Sequence, residues 1–279
     1  MEGFNFNSTI NRFTIYQYMS SFLIVLTLAS AFFYGFGASA LIPVLISVLT
    51  TTILDLTFNY FIFKTLEFPY SGLISGLFIG GLLAQDLGWY VYVFAGIAAI
   101  LSKNLLKVHN NHIFNPANFG VLMVFLIFSA PNTWWISSPL ILVLIFGIFI
   151  LWRLKRFDLA FSFLGAYYIL HALFDKSILI NNMPMMASMP MMMENFYQSL
   201  TNQGTIFFFA MFMLIEPRTN PAARKQRIFY GILVAFMLVG IEKYNPRFGI
   251  IFVLAVANLF VPLLNRISFE VRKKVAEVQ

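Results

Sequence analysis

Ten apolar runs lie near residues 14–37, 39–63, 70–85, 87–102, 115–130, 138–153, 158–175, 200–216, 227–241 and 247–264, and together they take up about two thirds of the 279-residue chain. Such a chain must be solvated by lipid, where every backbone N–H and C=O has to find its partner inside the protein. Only helices or a closed barrel can meet that condition. The runs are continuous rather than alternating, so they predict helices. Charged residues make up 10% of the chain, well below the ~25% of a soluble domain. The expected fold is an all-α polytopic membrane protein of about ten transmembrane helices in a single domain, 1–279. Some runs are short. Leu87 to Leu101 gives a helix of about 22 Å against a hydrocarbon core of about 30 Å, as expected of helices that begin or end within the membrane.

The net charge of +7 could mark a nucleic-acid binder, but the basic residues stand in short clusters between the apolar runs. That is how a chain sets its orientation in a bilayer. Lipid, not nucleic acid, is the partner it implies. With both termini cytoplasmic, Arg12, Lys64, Lys103, Lys107, Arg153, Lys155, Arg156, Arg218, Arg224, Lys225, Arg227, Arg266, Arg272, Lys273 and Lys274 fall inside. Only Lys176, Lys243 and Arg247 fall outside. This is the pattern of a multi-pass protein of the cell (inner) membrane, with residues 265–279 as a basic cytoplasmic tail. Ala38-Ser39-Ala40 resembles a signal-peptidase site. The run before it is too long and too aromatic for a cleaved leader, and reads as a retained helix.

Two helix starts share a phrase. "NNHIFNPANFG" places Asn115-Pro116 before the fifth run, and "EKYNPRFG" places Asn245-Pro246 before the tenth. Gln85-Asp86 closes the third run 30 residues before Asn115, counting from Gln85. Glu216-Pro217 closes the eighth 29 residues before Asn245. Matched landmarks at matched spacing argue for a duplication of five spans, 14–130 and 138–264. Five is odd, so the second repeat is inverted in the membrane, and sites in such folds lie where the repeats meet. Asn caps a helix by accepting from a free N–H, and Pro at the first position has no N–H to leave unpaired. A start below the membrane surface would offer donors and partial positive charge to an anion or a polar ring edge. An ordinary capped interfacial helix is the alternative. If the repeats are real, the two first turns should meet, with Gly120 and Gly249 facing neighbouring helices.

The residues now reached resemble a known family. "SGLISGLFIGGLLAQDLGWYVYVFAGIAAILSKNLLKVHNNHIFNPANFG" (71–120), "FMLIEPRTNPAARKQRIFYGILV" (212–234) and "ANLFVPLLNR" (257–266) look like the recurrent segments of the NqrB/RnfD family. Its members are membrane subunits of the sodium-pumping NADH:quinone oxidoreductase and of Rnf electron-transport complexes. The resemblance implies a urea-transporter-like fold of two inverted five-helix repeats. It also implies flavin-mediated electron transfer coupled to ion movement, and partner subunits carrying iron–sulfur or flavin centres. Asn115, Pro116, Asn118, Gly120, Asn245, Pro246 and Gly249 are then the candidate flavin contacts. The family esterifies FMN to a Thr in a Ser-Gly-Ala-Thr-like motif. At that place this chain has "SAPNTWWISSPL" (129–140), whose hydroxyls Thr133, Ser137 and Ser138 stand in no such motif. Covalent FMN is not expected; a noncovalent FMN or riboflavin needs no such loop. The chain has no cysteine, so any iron–sulfur centre belongs to a partner.

Ionisable groups within spans are costly and are functional candidates by default. Asp55 in the second run and His171 in the seventh are such groups, in corresponding helices of the two repeats. With Gln85, Asp86 and Glu216 at the span ends they are the candidates for an ion or proton path, against the plainer alternative of burial on a helix partner. His109 and His112 lack the Cys or carboxylate neighbours of a metal site, and no metal is expected. "MPMMASMPMMM" (183–193) is read as a flap or docking segment rather than a copper site. No nucleophile–base–acid set, Walker loop or dinucleotide fingerprint is present, so the chain brings no catalytic residues of its own. Two functions remain: a redox membrane subunit coupled to ion movement, or a stand-alone channel or carrier for a small solute or ion.

Overall fold

The computed structural model describes residues 13–64, 67–108, 111–174, 203–244 and 249–278. Over these residues ten helices succeed one another. They are α1 Ile15–Phe33, α2 Leu41–Phe63, α3 Tyr70–Leu82, α4 Trp89–Leu105, α5 Pro116–Phe128, α6 Leu140–Leu154, α7 Phe157–Phe174, α8 Gln203–Met213, α9 Arg224–Tyr244 and α10 Gly249–Val278. Each lies on one of the ten apolar runs. Among the described residues the strands are one two-residue antiparallel pair, Lys107–Val108 with Asn111–His112, just ahead of α5. The tail expected after residue 264 continues α10 as helix to Val278.

By length and composition three helices can cross a bilayer: Ile15–Phe33, Ala38–Ile62 and Gly249–Arg266. Others are apolar but shorter; α3 and α5 have 13 residues each, or about 20 Å of rise. Large apolar side chains cover the outside of the bundle, among them Phe33, Phe61, Ile141, Leu173 and Leu263. A surface of that kind faces lipid, and the chain is an integral, all-α membrane protein.

α3 is deeply enclosed, with nine of its residues buried, Gly72, Ser75, Gly76, Leu77, Phe78, Ile79, Gly80, Gly81 and Leu82. Without a hydrophobic drive between helices in lipid, close packing has to come from small residues. Gly72, Gly76 and Gly80 recur every four residues and press α3 onto α2. A Cβ at Gly76 would lie 2.5 Å from Val48 Cα, and one at Gly80 2.5 Å from Val44 Cα. α2 also packs on α4, and α4 on α5. In the second half α7 packs on α9, α6 on α8, and α9 on α10. Across the halves α1 meets α6, with Phe22 stacked on Phe146 at 4.3 Å, and α5 meets α10.

The seam gives a direct test. Gly76→Val drives a side chain into the α2 backbone, and overpacking of this kind costs about 1–3 kcal/mol or more. The purified variant should melt clearly below the parent by circular dichroism in detergent. Gly165→Ala, at a position with nothing within 4 Å, should melt no lower than the parent. Equal melting of the two variants would refute the close seam.

Candidate functional site

A cavity of about 100 Å³ opens at the end of the bundle where α3 and α5 begin. Tyr16 and Met19 of α1, Ser71, Ser75 and Phe78 of α3, and Asn115 to Ala117 at the start of α5 line it. Phe212, Glu216 and Pro217 close it from the end of α8. The α5 start has the predicted geometry. Asn115 is the N-cap, its Oδ1 accepting from the Asn118 N–H at 3.0 Å, and Pro116 is the first helical residue. Asn115 and Asn118 are both buried, so this helix end is enclosed in protein.

Glu216 arrives through an irregular helix end. The last turn of α8, Phe209–Met213, is a π turn, closed by the Leu214 N–H donating to Phe209 O at 2.9 Å. Such turns hold one residue more than an α turn and so re-aim the chain beyond them. The loop then folds tightly on Glu216. Asn220 Nδ2 donates to its backbone oxygen at 2.7 Å, and the Thr219 hydroxyl to its Oε2 at 3.3 Å. His112 Nε2 faces its Oε1 at 3.4 Å.

Asn258 of α10 ties these pieces together. With its amide nitrogen turned toward Tyr230 and Thr219, it donates to Tyr230 Oη at 2.8 Å and to Thr219 O at 3.1 Å. Its oxygen accepts from the Asn115 N–H at 3.1 Å, a donor that the Asn115 side chain does not reach. Asn118 Nδ2 donates to Ile251 O at 2.9 Å, so the first turns of α5 and α10 are in contact. Asn118 Oδ1 and Asn220 Oδ1 are buried and have no hydrogen-bond partner among the described residues.

Of the residues singled out by sequence, Asn115, Pro116 and Glu216 share the cavity, and Asn118 stands directly behind it. Gly120 faces α4 as expected, where a Cβ would lie 2.4 Å from Ala95 O. Gly249 departs from expectation. It has open space at the Cβ position and a φ of +41°, so glycine is needed there for its backbone and not for packing. Asn245, Pro246, His109 and the 183–193 segment lie outside the described residues. Gln85 is half-buried and Asp86 exposed beyond the far end of α3, away from the cavity. His112, Thr219, Tyr230 and Asn258 were not singled out as contacts. An Asn inside the apolar "AVANLF" was the one signal available for Asn258.

Asp55 is engaged on both oxygens. Oδ1 pairs with Lys103 Nζ of α4 at 2.5 Å, and Oδ2 accepts from the Gly72 N–H in the first turn of α3 at 3.0 Å. His171 pairs with Glu242 of α9, Nε2 to Oε2 at 3.2 Å, and stacks edge-on against Tyr167. The segment with no flavin-attachment motif has a structural task. The Thr133 and Trp134 N–H groups donate to Leu82 O, and the Trp135 indole to Gly80 O at 2.9 Å. It therefore holds the carbonyl end of α3.

Two measurements probe these ties. Asn258→Leu leaves the Asn115 N–H and Thr219 O buried without partners, each at a cost of about 1–3 kcal/mol. It should lower the melting temperature more than Asn115→Ala, which loses one cap worth about 1 kcal/mol. Lys103→Met strands the Asp55 carboxylate and should destabilise by about 3–5 kcal/mol, whereas Lys103→Met with Asp55→Asn should recover much of the loss. A double variant no better than the single one would mean that Asp55 does more than brace α2, α3 and α4.

The NQR2, RnfD, RnfE family matches this chain over residues 9–140 and 135–274. The B subunits of the Na(+)-translocating NADH-quinone reductases of Chlamydia felis, Chlamydia abortus and Chlamydia caviae are each 32% identical to it over 72 residues. That stretch is 25% of this chain and 14% of each relative. Matched along nearly its whole length, this membrane chain belongs to the NQR2, RnfD, RnfE family.

Proposed function

We propose that the chain is a membrane subunit of a redox-driven, ion-translocating complex of Nqr/Rnf type, built as two inverted five-helix repeats. One observation carries this reading. The three segments that resemble the family, 71–120, 212–234 and 257–266, are far apart in sequence and converge on one place. Ser71, Ser75, Asn115, Phe212 and Glu216 line the same cavity, and Asn258 and Tyr230 brace its wall. The contacts of α1 with α6 and of α5 with α10 support the inverted arrangement, since each joins elements that the duplication makes equivalent.

Glu216 is the group suited to an ion path. It is a partly buried carboxylate, open to a cavity whose other walls are mostly apolar, with the Ser71 and Ser75 hydroxyls and the start of α5 as the remaining polar groups. Intramembrane carboxylates in such places mark ion and proton routes. A cavity of about 100 Å³ is well below the ~300–1,000 Å³ of cofactor pockets. It fits water or a small ion and does not fit an isoalloxazine ring. A noncovalent flavin serving this subunit would bind outside this cavity. The cytoplasm is the side on which the cavity opens if both termini are cytoplasmic.

The test is isolation of the tagged chain from its native membranes in mild detergent. Co-purification of flavin- and iron–sulfur-bearing subunits is expected. Reconstituted with an electron donor, the assembly should move cations, and Glu216→Gln should reduce that movement by about tenfold or more, on the order of 1.4 kcal/mol. A chain isolated alone, which moves a small solute or ion in proteoliposomes with no donor, would overturn the reading in favour of a stand-alone channel or carrier.

A further inference from the structure

His112 closes the short hairpin ahead of α5 and is buried. Its Nδ1 lies 2.8 Å from Phe114 O. A carbonyl oxygen only accepts, so Nδ1 carries a hydrogen, and the neutral ring keeps a bare lone pair on Nε2. Glu216 Oε1 lies 3.4 Å from that nitrogen, longer than a hydrogen bond. The other carboxylate oxygen already accepts from Thr219. A nitrogen lone pair and a carboxylate this close repel, and a single proton on either atom makes the contact attractive.

We infer that His112 and Glu216 form a proton-binding pair behind the cavity, reached from it through Glu216, which holds one exchangeable proton between Nε2 and Oε1. This deepens the ion-path reading of Glu216 and rests on it for what the proton does. It identifies the proton as an ion handled there. On release the proton passes to water and leaves a neutral imidazole beside a carboxylate; uptake reverses this, and no electrons move. The other charges felt at Glu216 are Arg218 and Lys103. Both are cations. Lys103 is itself bound to Asp55. The two ends of the pair come from different sides of the cavity, the α5 start and the α8 end, so the proton also joins these two elements.

Ring-¹⁵N histidine spectra of the full chain in lipid nanodiscs test the pair without any transport assay. His112→Asn identifies the signal among the three histidines. The neutral ring should be the Nδ1–H tautomer. Glu216→Gln should lower the proton affinity by about tenfold or more, one pH unit, and Glu216→Asp should lower it less, in the same direction. A neutral Nε2–H ring, or a midpoint that neither variant moves, overturns the inference. If the pair titrates as described while Glu216→Gln leaves cation movement intact, the proton site stands and the ion-path reading of Glu216 falls.

Discussion

A helix that begins or ends inside hydrocarbon leaves several N–H or C=O groups with no water to bind. The short helices of this protein meet that constraint with side chains brought from elsewhere. The N–H end of α3 is capped by the Asp55 carboxylate of α2, and its carbonyl end by the 131–135 segment. The N–H end of α5 is capped by its own Asn115 and by Asn258 of α10. Without these caps the two helix ends would leave buried N–H and C=O groups unpaired, and the cavity between them could not form. The cavity is a by-product of broken helices whose ends have been satisfied.

The charged groups sort themselves by chemistry. Asp55–Lys103 and Asp158–Arg227 pair a carboxylate with a lysine or an arginine. They join α2 to α4 and α7 to α9, and they suit bracing, since removing one partner strands the other's charge. His112–Glu216 and His171–Glu242 pair a carboxylate with a histidine. Of these, the first borders the cavity through Glu216.

Much of this was legible in the sequence, and the remainder was hidden for a common reason. Helix number and extent follow from apolar runs broken by Pro, Gly and charge, as at Pro116 and Gly88. The Asn115 cap is local chemistry, readable from Asn-Pro alone. Asp55 could be flagged as costly, but not as the cap of α3, because its partners Gly72 and Lys103 come from other helices. The same holds for His112 and Glu216, whose meeting depends on the π turn at Phe209–Met213 and on how α8 packs. Local pattern reports periodicity and caps; it carries no signal for contacts that exist only after helices pack. The "SAPNTWWISSPL" stretch shows the limit from the other side. It could be read for the motif it lacks, and not for the carbonyls it serves.

The seam between α2 and α3 has a consequence for how such a molecule can move. Sliding α3 along α2 by one residue would bring a side chain where Gly72, Gly76 or Gly80 now meets backbone, and the Asp55 bond to Gly72 would break. Their only admissible kinematics is that of one rigid body. α8 is held by the rings of Phe208 and Phe209 against Phe78, Trp134 and Phe163. It is notched as well: a Cβ at Gly147 of α6 would lie 2.5 Å from Met211 Sδ, and one at Gly204 2.5 Å from Ser137 O. Both walls that flank the cavity are therefore pinned where a glycine lets a neighbour come close, and a motion of either has to carry its neighbour with it.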